Sequence, residues 1–308
     1  MVGTEFSEGL YEFMDSYDGF IIDQWGVLHD GVKPYEGVIN ALTQLKANKK
    51  EVIVLSNSGK RSDYNMDRMK EMGFKPSYFH AVVSAGEVTW TGLKEQSEAP
   101  FKGLGKKCYL ICRGKDQSLL EGLDLEVVEN IEDAEFILVT GVDAEIKKLE
   151  DFEEVFRKGV GKGLHLICAN PDLITIFKNE RAMGPGAVAK KYQDLGGVAH
   201  FIGKPHAPIL KYCQSLFKKA MPARTLVIGD SLSHDILGAN AIDIDSMFIL
   251  GGLHSSAFKV DMPMEIRKKN LEQLIQNYGA RPRWVMESLI WQSSVAALRE
   301  RDRARMRD

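Results

Sequence analysis

Asp23, Asp230 and Asp235 carry hard carboxylate oxygens, Ser56 a hydroxyl and Lys204 an ammonium, and all of them lie in or beside short apolar runs. Charged groups in apolar surroundings persist when they pair or hold a metal. One or two carboxylates with retained waters and a substrate phosphate are the ligand set that Mg²⁺ takes. Asp23 and Asp230 are therefore read as Mg²⁺ ligands, with Asp235 orienting a metal-bound water. Ser56 and the backbone amides of Asn57 and Ser58 stand at a strand-to-helix turn, where N–H groups can bond a phosphoryl oxygen. Lys204 would neutralise charge on the nucleophile and the phosphate. A carboxylate that attacks phosphorus forms an aspartyl-phosphate, which divides one hard displacement into two easier ones.

The elements that must position these residues follow from the apolar pattern. Strands are expected at 20–25, 52–57, 81–84, 107–112, 135–140, 164–169, 199–202, 225–230 and 246–250. Amphipathic helices are expected at 36–47, 60–72, 85–95, 146–158, 186–195, 207–219, 232–241 and 264–278. Runs this apolar fit strands buried on both faces, and the alternation predicts an α/β fold with a doubly wound parallel sheet. In such sheets ligands bind beyond the carboxyl ends of the strands. Asp23, Ser56 and Asp230 fall at such ends.

Whole-chain properties narrow the function classes. The 308 residues allow about two domains at roughly 150 residues each. Forty basic against 43 acidic side chains leave a net charge of −3, which argues against nucleic-acid binding through bulk charge. No apolar run approaches the roughly 18 residues that span a bilayer, and the acidic N-terminus lacks a signal-peptide layout. A cytoplasmic protein without a membrane partner is expected. Cys108, Cys112, Cys168 and Cys213 form no zinc-spaced cluster and are read as reduced, buried thiols. No dinucleotide fingerprint, P-loop, nucleophile elbow or zinc-protease motif is present.

Four stretches in order, IIDQWGVLHDG, LSNSGK, GKPH and GDSLSHDILGA, resemble motifs I to IV of the haloacid dehalogenase-like hydrolases. The layout is similar to their class IIA branch, the p-nitrophenyl phosphatase-like and nucleotide phosphatase-like enzymes. LVTGVD, with Gly141 and Asp143, and ANPD, with Asn170 and Asp172, look like signatures of that branch's inserted cap. The resemblance implies a discontinuous Rossmann-like core at 1–85 and 186–280 and an α/β cap at 86–185; it does not explain 281–308, which is read separately as a C-terminal helical tail. The tail is read from Trp284 and Trp291, which are seven apart, and ends in an arginine-rich stretch. Asp23 matches the nucleophile and a metal ligand, Asp230 the second metal carboxylate, and Asp235 the supporting acid. Ser56 and Asn57 match the phosphate-binding turn and Lys204 the neutralising lysine. Asn170 and Asp172 match cap residues facing the substrate, or else form a turn. The implied activity is Mg²⁺-dependent hydrolysis of a small phosphorylated metabolite, in a homodimer paired through the cap.

One position departs from that family. Its phosphatases carry a general-acid Asp two residues after the nucleophile, and here Trp25 stands there. The backbone carbonyl of Trp25 can still hold Mg²⁺, but its indole cannot cycle a proton, and general acid–base catalysis is worth about 10²–10⁴-fold. Weak turnover is expected, with His29, Asp30 and Asp172 as candidate substitutes. His29 is read as a surface histidine outside the chemistry. Two further readings stand beside the phosphatase: a phosphate-ligand-binding or regulatory protein on the same fold, and a dehalogenase-type hydrolase. The metal-suited pair Asp230 and Asp235 weighs against the last.

Overall fold

The structure is a computed structural model that describes residues 3–177, 180–259 and 261–292. The strands are β1 (Glu5–Phe6), β2 (Gly19–Asp23), β3 (Glu51–Ser56), β4 (Ala81–Ser84), β5 (Lys107–Ile111), β6 (Glu126–Val127), β7 (Phe136–Val139), β8 (His165–Cys168), β9 (Ile174–Phe177), β10 (Glu180–Met183), β11 (Val198–Phe201), β12 (Thr225–Gly229), β13 (Asp245–Ile249) and β14 (Trp284–Met286). The α-helices are α1 (Val38–Ala47), α2 (Ser62–Glu71), α3 (Ala85–Glu95), α4 (Glu153–Gly161), α5 (Pro185–Asp194), α6 (Ala207–Leu216), α7 (Leu237–Asn240) and α8 (Met264–Tyr278). The chain divides into two compact units. One comprises residues 1–55, 66–82 and 210–308, and the other 56–65 and 83–209.

The first unit is built on a seven-stranded sheet ordered β1-β14-β13-β12-β2-β3-β4. Phe20, Ile21 and Ile22 of β2 and all five residues of β12 are buried, as a parallel strand covered on both faces requires. β2 to β4 run outward to one side and β12 to β14 to the other. The order therefore reverses between β2 and β12, where Ile22 lies opposite Ile228. This is the topological switch point at which open α/β sheets bind their ligands. α1 buries Val38, Ala41, Leu42 and Leu45 at helical spacing against the sheet residues Phe20, Ile22, Val52 and Val54.

The second unit carries a five-stranded parallel sheet ordered β11-β8-β7-β5-β6 and the antiparallel hairpin β9–β10. Ile137, Leu166, Phe156, Val188 and Tyr192 form one of its cores, and Leu93, Cys108, Phe136, Leu138 and Ile167 another.

Two expectations of domain organisation are corrected. The inserted region does not end at 185: α5 buries Val188, Ala189 and Tyr192 with Ile137 and Leu166, and β11 pairs in parallel with β8, so both belong to the second unit. The segment after 281 does not begin as a helix. Trp284–Met286 is a strand pairing with β13 and β1, which buries Val285 and Met286. Trp284 Nε1 donates to the Tyr17 hydroxyl at 2.9 Å, which in turn donates to Asp245 Oδ2 at 2.6 Å. The arginine-rich stretch at 299–307 lies outside the described residues.

Candidate active site

In the first unit the acids expected to hold a metal come together. Oxygens of Asp23, Asp230 and Asp235 lie within 4.8 Å of one another, and Asp230 and Asp235 are buried. Asp23 is the last residue of β2 and Asp230 follows β12, so the switch point places both. Asp235 lies in a π-helical turn, Leu232–Ile236, rather than the first turn of a regular helix. That wider turn, a frequent marker of functional sites, brings Asp235 Oδ2 back to accept from the Ser231 N–H at 3.1 Å.

Glycines make this convergence possible. At Gly26, with φ +77°, a Cβ would lie 1.8 Å from Asp230 Oδ2, and at Gly252 it would lie 2.2 Å from the same oxygen. At Gly229 it would meet the Asp235 Cγ at 2.0 Å. The Leu253 N–H donates to Asp230 Oδ2 at 2.7 Å and fixes the carboxylate. Gly26 and the Gly252–Leu253 turn are site-building residues that the spacing of charged residues does not reveal. Three hard, convergent carboxylates in glycine cradles fit a divalent cation such as Mg²⁺.

The loop after β2 presents Trp25 with 53% of its surface exposed. His29, read from sequence as a surface residue, is buried at 1% exposure. Its ring meets Trp25 edge-on at 5.3 Å and also packs against Phe74. Burial pulls the His29 pKa down to about 4, so the ring is neutral at pH 7, and its Nδ1 accepts from the Gly31 N–H at 2.9 Å. Asp30 Oδ1 accepts from the Val32 and Lys33 N–H groups, which hold its carboxyl below the usual range. Tyr35 is pushed up by burial and by the nearby Asp230 and Asp30 carboxylates.

The second unit gathers the other expected residues. Ser56 closes β3, and its Oγ accepts from the Ser58 N–H at 3.2 Å. Asn57 is buried, and its side chain is fully employed. Nδ2 donates to Asp172 Oδ1 at 2.8 Å and to the Lys204 carbonyl at 3.1 Å, while Oδ1 accepts from the Lys204 N–H at 2.8 Å. Gly203, with φ +136°, is needed because a Cβ there would meet Asn57 Oδ1 and the Pro171 ring at 2.7 Å. Asn170 forms the turn that its sequence allowed, its Oδ1 accepting from the Asp172 N–H at 2.9 Å. Lys204 is buried.

Neighbouring cations are tied within the same unit. Lys60 pairs with Asp116, while Arg61 forks onto Glu87 at 2.7 and 2.9 Å and lies 3.7 Å over the Trp90 ring. Asp143 Oδ1 accepts from the Gly114 N–H at 2.8 Å and helps line a cleft of about 450 Å³ beyond the ends of β5 and β7. Cys108, Cys168 and Cys213 are buried, Cys112 is half-buried, and all four are free thiols. Burial lifts the Cys168 thiol to about 12, which suits inert packing. No helix among the described residues is long and apolar enough to cross a membrane.

Comparison with known proteins bears on these two sets of residues. The family described as haloacid dehalogenase-like hydrolase matches residues 20–126, and the one described as HAD-hydrolase-like matches 201–290. D-glycerol 3-phosphate phosphatase of Mycobacterium tuberculosis is 26% identical over 246 residues, covering 78% of this chain. This chain in turn spans 65% of that relative's length. A haloacid dehalogenase-like hydrolase structure from Brucella suis 1330 is 28% identical with a TM-score of 0.74, covering 92% of this chain and all of its own. The p-nitrophenyl phosphatase of Archaeoglobus fulgidus, at 22% identity, shares the fold with a TM-score of 0.69 over 89% of this chain and 97% of its own. The family matches take in Asp23, Ser56, Lys204, Asp230 and Asp235, and the solved relatives share the fold over 92% and 89% of the chain. On that ground the chain belongs to the haloacid dehalogenase-like hydrolases.

Proposed function

We propose that the protein is a Mg²⁺-dependent phosphoric-monoester hydrolase acting on a small phosphorylated metabolite through a phosphorylated Asp23. The convergence of Asp23, Asp230 and Asp235 at the switch point carries this reading. The phosphatase names of the relatives point the same way.

Asp23, the Trp25 carbonyl and Asp230 would hold the cation, with Asp235 steadying a metal-bound water. Bound there, Mg²⁺ would offset the carboxylate charges and draw in the phosphate. Asp23 attacks phosphorus with a carboxylate oxygen, and the phosphorus–ester oxygen bond breaks with its electron pair leaving on that oxygen. Water oxygen then bonds to phosphorus, the phosphorus–oxygen bond to Asp23 breaks with its electron pair returning to the carboxylate, and inorganic phosphate leaves carrying the water's oxygen, with a proton released to solvent. Ser56, the amides of Asn57 and Ser58, and Lys204 supply donors and positive charge for the phosphoryl oxygens. Asp172 is held by Asn57, and Asn170 shapes the turn before it. His29 is buried with Nδ1 accepting from Gly31, and Asp30 Oδ1 accepts two loop amides, which supports weak turnover of alkyl esters. We also propose a cytoplasmic protein that pairs through its inserted unit.

The test is phosphate release from glycerol phosphate and p-nitrophenyl phosphate, with Mg²⁺ and with EDTA. Mg²⁺-dependent release that Asp23→Asn reduces at least about 1,000-fold is expected, since no nucleophile remains. Release that survives Asp23→Asn rules out the aspartyl-phosphate route. Tight Mg²⁺-dependent binding without release would instead make this a phosphate-ester-binding protein.

A further inference from the structure

Two residues beyond Asp23, an exposed indole packs against its own loop. Gly31, with φ +91°, lies beneath it, and a Cβ there would sit 2.2 Å from Trp25 Cη2. The buried His29 ring braces it edge-on at 5.3 Å and is itself anchored by the Gly31 N–H. Bridges Trp25–His29 and His29–Pro34, with the Asp30 bonds to Val32 and Lys33, stiffen the same loop. A lone exposed aromatic is ordinary on a protein surface. One packed against its own loop two residues from a candidate nucleophile, with about half its surface open, can serve as a plate for a flat ligand group.

The same loop offers no proton relay. The indole N–H is a donor that does not titrate near neutrality. His29 is buried with Nδ1 already accepting, and the Asp30 carboxylate accepts two amides. A leaving oxygen on this side of Asp23 must therefore depart as an anion.

We propose that Trp25 is a specificity-determining residue that selects phosphoryl compounds whose leaving group is flat, unsaturated and weakly basic, namely aryl and enol phosphates, over alkyl esters. This rests on the phosphatase reading of Asp23. The phosphorus–oxygen bond breaks with its electron pair staying on an oxygen conjugated to the ring or double bond. The aryloxide or enolate takes its proton from water after it has left. Alkyl leaving groups need that proton in the transition state and forfeit about 10²–10⁴-fold.

The experiment uses the full chain with Mg²⁺ and measures kcat and KM for substituted phenyl phosphates, phosphoenolpyruvate and glycerol phosphate. Wild type is expected to show kcat falling steeply as leaving-group pKa rises, with glycerol phosphate at least about 100-fold below p-nitrophenyl phosphate. Trp25→Leu is expected to raise aryl KM about five- to tenfold relative to the alkyl value, from loss of ring stacking, and Trp25→Phe to restore most of it. Trp25→Asp is expected to flatten the pKa dependence. Equal turnover of alkyl and aryl esters by wild type, or an unchanged aryl-to-alkyl KM ratio in Trp25→Leu, overturns the proposal.

A binding measurement separates failure of the plate from failure of the phosphatase reading. Phenylphosphonate should bind wild type about five- to tenfold more tightly than methylphosphonate, and Trp25→Leu should remove the difference. If no phosphate ester turns over but this preference holds, the phosphatase reading falls and the plate stands. If the preference is absent, the plate falls whatever the turnover.

Discussion

Three carboxylates in the first unit are drawn to within 4.8 Å by leaving side chains out, at Gly26, Gly229 and Gly252. The second unit instead fills its polar centre: one amide side chain, Asn57, satisfies Asp172 and both backbone groups of Lys204. Like charges brought together repel one another, and a bound cation would offset that repulsion, so the glycine cradle suits a ligand. Complementary groups brought together stabilise the fold whether or not a ligand arrives. Substitutions in the first region should therefore show chiefly in metal-dependent activity, and those in the second chiefly in stability.

Among substitutions that leave every charged side chain in place, the largest effect should come from Gly26→Ala. Its Cβ would fall 1.8 Å from Asp230 Oδ2 at a φ of +77°, so the carboxylate must move. Turnover at fixed Mg²⁺ should drop at least about 100-fold, the scale of losing one preorganised electrostatic group. Titrating activity against Mg²⁺ should show a weaker apparent affinity. Gly73→Ala is the control: φ is +93° but nothing lies within 4 Å, so it should cost about 1 kcal/mol of stability and leave turnover alone. Equal activity losses in both variants would mean that backbone strain, not the cradle, is being measured.

Asn57→Ala should break the second region in the other currency. It removes three hydrogen bonds at 2.8–3.1 Å from a buried site. At about 1 kcal/mol each, a loss of about 3 kcal/mol is expected in urea unfolding. Amide exchange at Lys204 should accelerate accordingly. Asn57→Asp keeps the acceptor for the Lys204 N–H but sets a carboxylate against Asp172, and should be no more stable than the alanine variant. An unchanged unfolding midpoint in Asn57→Ala would show that Asn57 serves a ligand and not the scaffold.

Both sets of chemical groups were legible because the signals are local. Asp23 and Asp230 each end an apolar run, and β4, α3 and α8 lie where periodicity puts them. What was not legible depends on distant partners. Nothing in VAHF says which sheet it joins; pairing with β8 decides it. The spacing of Trp284 and Trp291 suits a helix, but β13 and β1 offer strand pairing on both sides. The sequence places Asn57 in the phosphate-binding turn but does not show that its side chain bonds Lys204 and Asp172, over a hundred residues away. His29 resembles a loop histidine until Phe74 packs onto it from a separate part of the chain.

His29 sharpens the comparison from inside the first region, because it is a stabilising element serving a functional one. Its folded pKa is drawn down from 6.5 to about 4, chiefly by burial. The unfolded chain therefore binds the proton first as pH falls, and stability rises with pH between those values. The full contribution is present above about pH 6.5 and is progressively lost toward pH 4. From pH 7 to pH 5 the loss from this group should be about 2 kcal/mol. His200 and His254 are also lowered by burial and add in the same direction, so the wild-type slope alone cannot isolate it. His29→Asn supplies an uncharged acceptor for the Gly31 N–H and does not titrate in this range. Urea unfolding at pH 5, 6 and 7 should show the variant's stability falling by about 2 kcal/mol less than wild type across the series. Parallel stability curves for the two proteins would mean that His29 gains its proton in the folded state at no extra cost, and that the brace beneath Trp25 is not a neutral imidazole.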